Sequence, residues 1–313
     1  MELPREIYLK IEKLLEGHSI KSLKEITNRI IDNYKNESGR GKSLINDELS
    51  AKVYAAYRLP ATFSAIHSAL SHTLELYDGE ITSLTDVGAG SGAASFAASS
   101  LLSLSKIECL EKDPYMSNVG KVLSNGLNFS WKDFDLVKDE LSSSDLIIAG
   151  YLFNELSSED VIRAIKKLWN HTNKVLLVVE PGTPVGYSII KNIRDTLINE
   201  GGYVISPCPH MDKCPMKEHD WCHFVTRVNR SKLQKDLKGG DAPYEDEKFS
   251  YIAFSKTPVN RCECRVLRHP QISKSLVQLT CCCKDGINNI QVRKNEKEKY
   301  KLARKIHAGD KFL

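Results

Sequence analysis

The fold is decided by residues 81–92, Ile81-Thr82-Ser83-Leu84-Thr85-Asp86-Val87-Gly88-Ala89-Gly90-Ser91-Gly92. The apolar residues up to Val87 predict a buried β-strand, and the glycines that follow predict a tight loop at its end. Glycine lets a backbone approach a ligand closely, because no Cβ intervenes and a positive φ costs little. The stretch therefore predicts a nucleotide-type pocket at the end of a central strand.

Strands and helices alternate on the carboxyl side of this loop. Further strands are predicted at 106–110, 146–149 and 174–179, with helical segments between them. Strands separated by helices of this length pair as a parallel, doubly wound sheet. The fold class is therefore α/β, with an S-adenosylmethionine-type Rossmann-like core at residues 79–205.

Residues 1–78 carry apolar side chains at helical spacing and predict an N-terminal helical cap on the sheet. Within the cap, a loop is predicted at 36–41, and Leu59-Pro60-Ala61-Thr62 predicts a break between two helices. Residues 206–290 form a cysteine-rich region with closing strands, and residues 291–313 form a basic tail. The tail has eight positive residues and three acids, which suits either a phosphate-contacting arm or a solvated helix with Glu–Lys pairs.

The glycine loop has the spacing that methyltransferases place beneath S-adenosylmethionine rather than the G-x-G-x-x-G spacing of dinucleotide-binding proteins. An acid at the end of the second strand, Glu111, stands where such enzymes bind the ribose hydroxyls. The candidate cofactor-binding residues are Asp86, Gly88, Gly90, Gly92, Glu111 and Asp133, the last as a partner for the adenine amino group. Asp133 is equally typical of a surface acid, and a structural turn is the alternative for the loop.

Asn154 and Glu155 follow the fourth strand, where methyltransferases usually keep groups that face the substrate. Capping of the next helix, or pairing with a basic side chain of that helix, would explain them as well. The sequence contains no obvious catalytic acid or base, so the catalytic group is left unassigned.

Six of the nine cysteines fall into two groups, Cys208, Cys214 and Cys222 in one and Cys281, Cys282 and Cys283 in the other. The gaps of five and seven residues in the first group do not match the close pairs of zinc ribbons. Three thiolates from one loop and a fourth from a distant strand are the ligand set of a cubane iron–sulfur cluster. Of the adjacent cysteines, only alternate ones can face the same way on a strand.

Other interpretations of the cysteines stay open at this stage. Cys262 and Cys264 compete for the fourth position, and a mixed zinc site is possible with His210, His219 or His223. Cys208 after a proline is also typical of a nucleophilic thiol in cytosine carbon-5 methyltransferases. Disulfides are not expected, because the cysteines are concentrated in the last third of a large chain that has no secretory signal.

Composition is that of a soluble globular protein, with 41% hydrophobic and 27% charged residues and a formal net charge of +4. No apolar run approaches the roughly 20 residues that span a bilayer. The charged start of the chain lacks the apolar core of a secretory signal. We therefore expect a monomer with no membrane contact in the cytoplasm, or in the mitochondrial matrix if the source is eukaryotic.

Several motifs together resemble the Rsm-twenty-two family of methyltransferase-like assembly factors of the small ribosomal subunit. They include Pro-Cys-Pro-His with Trp-Cys-His-Phe at 207–224, the run Arg58-Leu-Pro-Ala-Thr, and Arg265-Val-Leu-Arg268. The resemblance implies a class I methyltransferase fold, bound S-adenosylmethionine, a four-iron four-sulfur cluster, and association with small-subunit ribosomal RNA and proteins. By the same resemblance, the cluster ligands are Cys208, Cys214, Cys222 and Cys282.

Two functions of different kinds fit these features. One is S-adenosylmethionine-dependent methylation of ribosomal RNA or a ribosomal protein, including a zinc-binding form of such an enzyme. The other is a catalytically inactive assembly factor, in which the pocket and the cluster serve stability and RNA docking. Methyl transfer needs mainly the positioning of donor and acceptor, so the absence of an obvious acid or base does not decide between them.

Overall fold

The computed structural model describes residues 2–37, with side chains up to Asn33, and residues 45–312. Three helices precede the sheet: α1 (Arg5–Leu14), α2 (Ile20–Glu37) and α3 (Glu48–Leu74). The predicted loop at 36–41 begins with the last two residues of α2, and the rest of it lies outside the described residues. Within the described part, the predicted N-terminal helical region is helical.

Helix α3 runs unbroken through Pro60, so the predicted break there is wrong. A proline inside a helix removes one hydrogen bond and crowds the preceding turn. Here that turn holds the small residue Ala56, and the proline and its neighbours Leu59 and Phe63 are all buried. Most of the stability of a protein helix comes from tertiary packing, which outweighs the lost hydrogen bond in this case.

The elements of the central sheet and the helices around it follow in chain order. They are β1 (Ser83–Val87), α4 (Ala93–Ser99), β2 (Lys106–Glu111), α5 (Pro114–Leu123), β3 (Phe129–Asp133), β4 (Ser144–Gly150), α6 (Ser158–His171), β5 (Thr172–Pro181), α7 (Pro184–Asn199), β6 (Tyr203–Ser206), β7 (Phe224–Asn229), α8 (Lys232–Lys238) and β8 (Tyr244–Ser255).

The strand order in the main sheet is β3-β2-β1-β4-β5-β8-β6, with β7 paired to the other half of the long strand β8. Strands β1 to β5 pair in parallel, whereas β8 pairs antiparallel with β5, β6 and β7. Helices α3, α4 and α5 pack on one face, and α6 and α7 pack on the other. This order, with an antiparallel strand inserted beside β5, is the class I methyltransferase fold. The predicted fold class is confirmed.

The remaining strands form a second sheet of five, and a short helix packs on it. Its elements are β9 (Cys264–Val266), β10 (Gln271–Ile272), β11 (Leu276–Cys283), β12 (Gly286–Arg293), α9 (Lys297–Ala303) and β13 (Lys311–Phe312). The segment 291–313 does not stand apart as a tail. It completes β12, and it buries Tyr300, Ala303 and Phe312 in the core of this sheet.

Among the described residues, no helix combines the length and the apolar character needed to cross a bilayer.

Candidate functional site

A cavity of 620 Å³ lies at the carboxyl ends of the parallel strands, where open α/β sheets bind ligands. The glycine loop forms its floor, with Gly88 at φ +67° and Gly90 at φ +55°. Both values lie in the left-handed region that favours glycine. Gly92 does not line the cavity; at φ +97° it caps the amino end of α4. We call this space the glycine-loop cavity.

Glu111 holds the glycine loop in place. One carboxylate oxygen accepts a hydrogen bond from the Gly90 amide at 2.7 Å, and the other accepts one from the Asp113 amide at 2.8 Å. Burial raises the pKa of Glu111, while these two amides act in the opposite direction. The Lys112 amide acts on the pKa in the same direction as these two amides. A carboxylate has about four lone-pair positions, so at least one remains for a further donor such as a ribose hydroxyl.

The two predicted aspartates have different surroundings. Asp86 is 1% exposed and accepts hydrogen bonds from the amide and hydroxyl of Ser95, so it fixes the start of α4. Burial raises the pKa of Asp86 to about 7. Asp133 is exposed at the end of β3, and its side chain does not belong to the cavity wall. The next residues, Phe134 and Asp135, line the cavity instead.

The opposite wall comes from α3, whose Arg58 forms a partly buried ion pair with Glu247 that the sequence did not indicate. Arg58 donates to both carboxylate oxygens of Glu247, at 3.2 and 2.9 Å, and the Tyr151 hydroxyl donates to the same carboxylate at 2.8 Å. Burial acts to raise the pKa of Glu247, but Arg58 and Tyr151 hold it below its ordinary value. Tyr151 has φ +60°, which is uncommon for a non-glycine residue. These contacts fix a phenol ring at the cavity wall.

The loop after β4 places the two candidate substrate-facing residues differently. Glu155 lines the cavity, and desolvation together with Glu111 and Asp113 raises its pKa to about 7. Asn154 does not line the cavity, and its buried side-chain oxygen has no hydrogen-bond partner. The loop is anchored from below by Glu180 of β5, whose carboxylate accepts the Phe153 amide at 2.8 Å.

A second, smaller cavity of 40 Å³ lies on the other side of β5, between the main sheet and the second sheet. Cys208, Cys214, Cys222 and Cys282 all line it, and we call it the thiol cavity. Burial raises the pKa of Cys208, Cys222 and Cys282, and the neighbouring thiols raise each of these values further. Because the space is small, a group larger than a few water molecules requires the lining side chains to move apart.

The three adjacent cysteines of β11 divide as strand geometry requires. Cys282 faces the thiol cavity, where the His210 Nε2 atom lies 3.5 Å from its Sγ atom. Cys281 and Cys283 face the core of the second sheet instead. Cys283 stands directly opposite Cys264 on β9, with 4.2 Å between their Cα atoms, and the two form a disulfide. The expectation of no disulfides is therefore wrong for this pair, because the strand register brings the two thiols together.

In the described ranges, no three His, Cys, Asp or Glu side chains converge on a position that would hold a metal ion. The predicted iron–sulfur cluster therefore stays a prediction, as does the zinc site. Of the three histidines considered for zinc, only His210 lines the thiol cavity. His223 stacks on Trp221, and its Nδ1 atom lies 3.1 Å from the carbonyl oxygen of that residue.

Two buried arginines also line the thiol cavity. Arg265 is 0% exposed; its Nε donates to the Pro207 carbonyl at 3.2 Å and its Nη1 to the Gly309 carbonyl at 2.7 Å. Arg194 is 3% exposed, and its Nη2 donates to the carbonyl oxygens of His210 and Asp212. The Nη2 of Arg265 and the Nε of Arg194 are buried without a hydrogen-bond partner.

Residues at the carboxyl end of β5 are hydrogen-bonded to the loops beside both cavities. Glu180 holds the loop of the glycine-loop cavity, and two residues later the Gly182 carbonyl accepts the indole N–H of Trp221 at 2.9 Å. Ser250, opposite Glu180 on β8, donates its hydroxyl to the carbonyl of Cys222 at 2.8 Å. A single strand end therefore contacts the loops of both cavities.

A family model described as "Mitochondrial small ribosomal subunit Rsm22" matches residues 48–313, which include all four cysteines of the thiol cavity and the lining of the glycine-loop cavity except Ile45 and Asn46. The chain belongs to the Rsm22 family. The predicted family is confirmed, and the match includes α3, the sheet, the cysteine loop and the second sheet.

Relatives of this Rsm22-family chain include two mitochondrial proteins. The human "Ribosome assembly protein METTL17, mitochondrial" is 24% identical over 342 residues, which cover 99% of this chain and 73% of the relative. The "Rsm22-cox11 tandem protein 2, mitochondrial" of Schizosaccharomyces pombe is 21% identical over 349 residues, which cover 89% of this chain and 44% of that protein. The chain thus spans less than half of the fission yeast relative.

Solved structures similar to this chain include S-adenosylmethionine-dependent methyltransferases. A TehB-like enzyme from Corynebacterium glutamicum has a TM-score of 0.41 and 14% identity, and the match covers 61% of this chain and 88% of that one. Magnesium protoporphyrin IX methyltransferase from Synechocystis has a TM-score of 0.40 and 12% identity, with 74% and 100% covered. The fold assignment of the Rsm22-family chain rests on its own strand order.

For several residues of the site, the sequence analysis predicted no role. Arg58 and Arg265 lie in motifs by which the family was recognised, yet no role followed from the motifs. Tyr151 and Glu247 are 96 residues apart, and the placement of β8 in the sheet brings Glu247 within hydrogen-bond distance of Tyr151. A partly buried ion pair between distant segments leaves no periodic signal in a sequence.

Proposed function

We propose that this Rsm22-family chain is an S-adenosylmethionine-binding assembly factor of the small ribosomal subunit that also carries a four-iron four-sulfur cluster. The observation that carries the proposal is the glycine-loop cavity, in which Glu111 lines the wall and accepts a hydrogen bond from the Gly90 amide. The family description and the name of the human relative, a ribosome assembly protein, support the ribosomal role. The protein acts where its ribosome is assembled, in the bacterial cytoplasm or in the mitochondrial matrix.

Different parts of the cavity wall would contact different parts of S-adenosylmethionine. The backbone of Gly88 and Gly90 would lie beneath the methionine part, and Glu111 would accept hydrogen bonds from the ribose hydroxyls. The cavity continues to α3 and Tyr151, which leaves a wall for a methyl acceptor. Asp133 lies outside the wall, so we assign the adenine end to the segment that begins at Phe134.

Binding is tested by calorimetry with S-adenosylmethionine on the purified protein. A Cβ at Gly90 would meet only the Met116 methyl group at 3.5 Å, so Gly90→Asp leaves room for folding but puts a carboxylate in the cavity beside Glu111. We expect no binding by this variant. Gly126→Asp is the matched control, because Gly126 also has positive φ, +89°, and no atom within 4 Å of a new Cβ. No heat with the wild-type protein would contradict the cofactor assignment.

The cluster proposal is supported by the chemistry of the donors. Four cysteine sulfurs line one buried cavity, and thiolates are the ligands that iron–sulfur clusters require. Three of the cysteines come from the loop between β6 and β7, and Cys282 comes from β11 of the second sheet. When bound, the cluster would supply a link between these two parts of the chain, so part of its binding free energy would be folding free energy.

Iron and sulfide analysis after oxygen-free purification tests the cluster. We expect about four iron atoms per chain, as a cubane requires. Cys282→Ser should lose iron, whereas Cys281→Ser should keep it, because the adjacent side chain faces the core of the second sheet. Stoichiometric zinc without iron in the wild-type protein would overturn the proposal and favour the zinc alternative.

A second candidate function is methylation of ribosomal RNA or a ribosomal protein. The observation in its favour is Glu155, an exposed carboxyl on the wall of the glycine-loop cavity, where it could accept a proton from a bound methyl acceptor. Strains that carry Gly90→Asp or Cys208→Ser separate the two functions. For an assembly factor without turnover, the Gly90→Asp strain should build small subunits better than the Cys208→Ser strain. Equal assembly defects, with the same methyl group missing from the RNA of both strains, would establish the enzyme.

A further inference from the structure

The residues that line the thiol cavity carry positive charge but no carboxylate. Arg265, Arg194 and Lys191 line it, and none of its lining residues is an aspartate or a glutamate. In the described part of the chain, Arg265 makes no ion pair closer than 4 Å, and the one partner of Arg194, Asp195, is half exposed outside the cavity. A buried guanidinium without a counter-ion is strongly unfavourable. Glu75, outside the cavity wall, is the carboxylate that acts on Arg265 electrostatically. The arrangement therefore favours an anion in the cavity.

The orphaned donors of the two arginines support the same conclusion. Arg265 is 0% exposed and uses only two of its three nitrogen atoms, since its Nη2 has no partner. The Nε of Arg194 has no hydrogen-bond partner either, although the Cys208 thiol beside this guanidinium acts on it both electrostatically and as a hydrogen-bonding neighbour. Buried N–H groups are nearly always hydrogen-bonded in folded proteins, so each unpaired donor indicates a missing acceptor. Both residues line the cavity that the four cysteines line.

We propose that Arg265 and Arg194 are the counter-ions and N–H donors of the iron–sulfur cluster, and that they raise its reduction potential and its retention. The inference rests on the cluster assigned under the proposed function. A cubane held by four thiolates carries two negative charges in its oxidised form, which two guanidinium groups balance. Reduction adds a third negative charge, so nearby positive charge and hydrogen bonds to sulfur favour the reduced form.

Arg265 also has a purely structural role, and the test must separate the two. Its bonds to Pro207 and Gly309 join the cysteine loop to the end of the chain. Loss of these bonds alone would lower the amount of cluster but would leave the potential of the remaining cluster unchanged. The midpoint potential therefore reports the electrostatic role.

The experiment is a redox titration of the oxygen-free, full-length protein, followed by the electron paramagnetic resonance signal of the reduced cluster. We expect dithionite to reduce the wild-type cluster. At the wild-type midpoint, Arg265→Met should lower the ratio of reduced to oxidised cluster at least tenfold, which is about 59 mV for a one-electron couple. Arg265→Lys keeps the charge and should stay within about threefold. The control is Arg230→Met, which removes a guanidinium paired with Glu245 at 3.5 Å and outside the cavity wall.

Each outcome supports or overturns the inference. Wild-type protein without iron would refute the cluster, and the inference with it. A wild-type cluster that dithionite does not reduce, or an Arg265→Met cluster with the wild-type ratio, would refute the inference and leave the cluster standing. If Arg265→Met does not fold, Arg194→Met takes its place, and an unchanged ratio in that variant would be equally decisive.

Discussion

Replacing Glu180 with glutamine should make the stability of this protein less dependent on pH. Glu180 is 0% exposed, one of its carboxylate oxygens accepts the Phe153 amide at 2.8 Å, and the other has no hydrogen-bond partner. Burial raises the pKa of this carboxyl from 4.5 to about 8, against the opposing effect of the amides of the Phe153 loop. The folded protein therefore holds a proton at neutral pH that the unfolded chain has released.

The sign and size of the effect follow from this difference. Below about pH 4.5 both states are protonated, and the group has no effect on stability. Between about 4.5 and 8 the folded state binds more protons, so the free energy of unfolding falls as pH rises. Each pKa unit is worth about 1.4 kcal/mol, which gives a loss of about 5 kcal/mol above pH 8 and about 3 kcal/mol at pH 7.

Glutamine is neutral at every pH and keeps the oxygen that accepts the Phe153 amide. The stability of Glu180→Gln minus that of wild type should therefore increase by about 2 kcal/mol between pH 6 and pH 8. Urea unfolding followed by circular dichroism in a series of buffers, with both proteins in the same metal state, measures this difference. Glu159→Gln, an exposed change on α6, is the control. A flat difference curve between pH 6 and pH 8 would refute the protonated carboxyl.

Two further predictions concern the ligands of the chain. Glu111→Gln replaces one carboxylate oxygen with an NH2 group, so the backbone N–H of either Gly90 or Asp113 loses its hydrogen-bond acceptor. We expect S-adenosylmethionine binding to weaken by about 1–3 kcal/mol, which is a rise of about 5- to 150-fold in the Kd measured by calorimetry. Kd unchanged within twofold would count against Glu111 as the organiser of the loop. Lys301, Arg304 and Lys305 are exposed around α9. Changing all three to glutamine should reduce the slope of log affinity for small-subunit particles against log salt by about 2, measured by co-sedimentation, and an unchanged slope would exclude this face from the RNA contact.

The parts of the fold that the sequence predicted are those with a local signal. The loop at 86–92 follows a short apolar run, and an acid, Glu111, ends the next strand; together these predicted a strand that ends at a pocket. The alternation of side chains along a strand predicted that Cys281 and Cys283 face one way and Cys282 the other, while the choice of Cys282 came from the family resemblance. These signals come from residues that are close in the chain.

The parts that escaped prediction depend on distant residues. Pro60 stays helical because packing partners surround it, and the Cys264–Cys283 disulfide depends on the register of β9 and β11. The basic segment at the end of the chain has a polar composition, yet its few apolar residues complete the core of the second sheet. Arg265 looks like an ordinary surface residue in sequence, although its burial is complete.

The shared end of β5 has a consequence for how the two cavities respond to their ligands. Glu180 and Gly182 are two residues apart, and each is bonded to the loop of a different cavity. Binding free energies form a closed thermodynamic cycle, so coupling between two sites is reciprocal. If a bound cluster changes the affinity for S-adenosylmethionine by some factor, S-adenosylmethionine changes the affinity for the cluster by the same factor. If the proposed cluster and the proposed cofactor both bind, and if this strand end couples them, loss of iron would change the affinity for S-adenosylmethionine and loss of S-adenosylmethionine would change the affinity for the cluster.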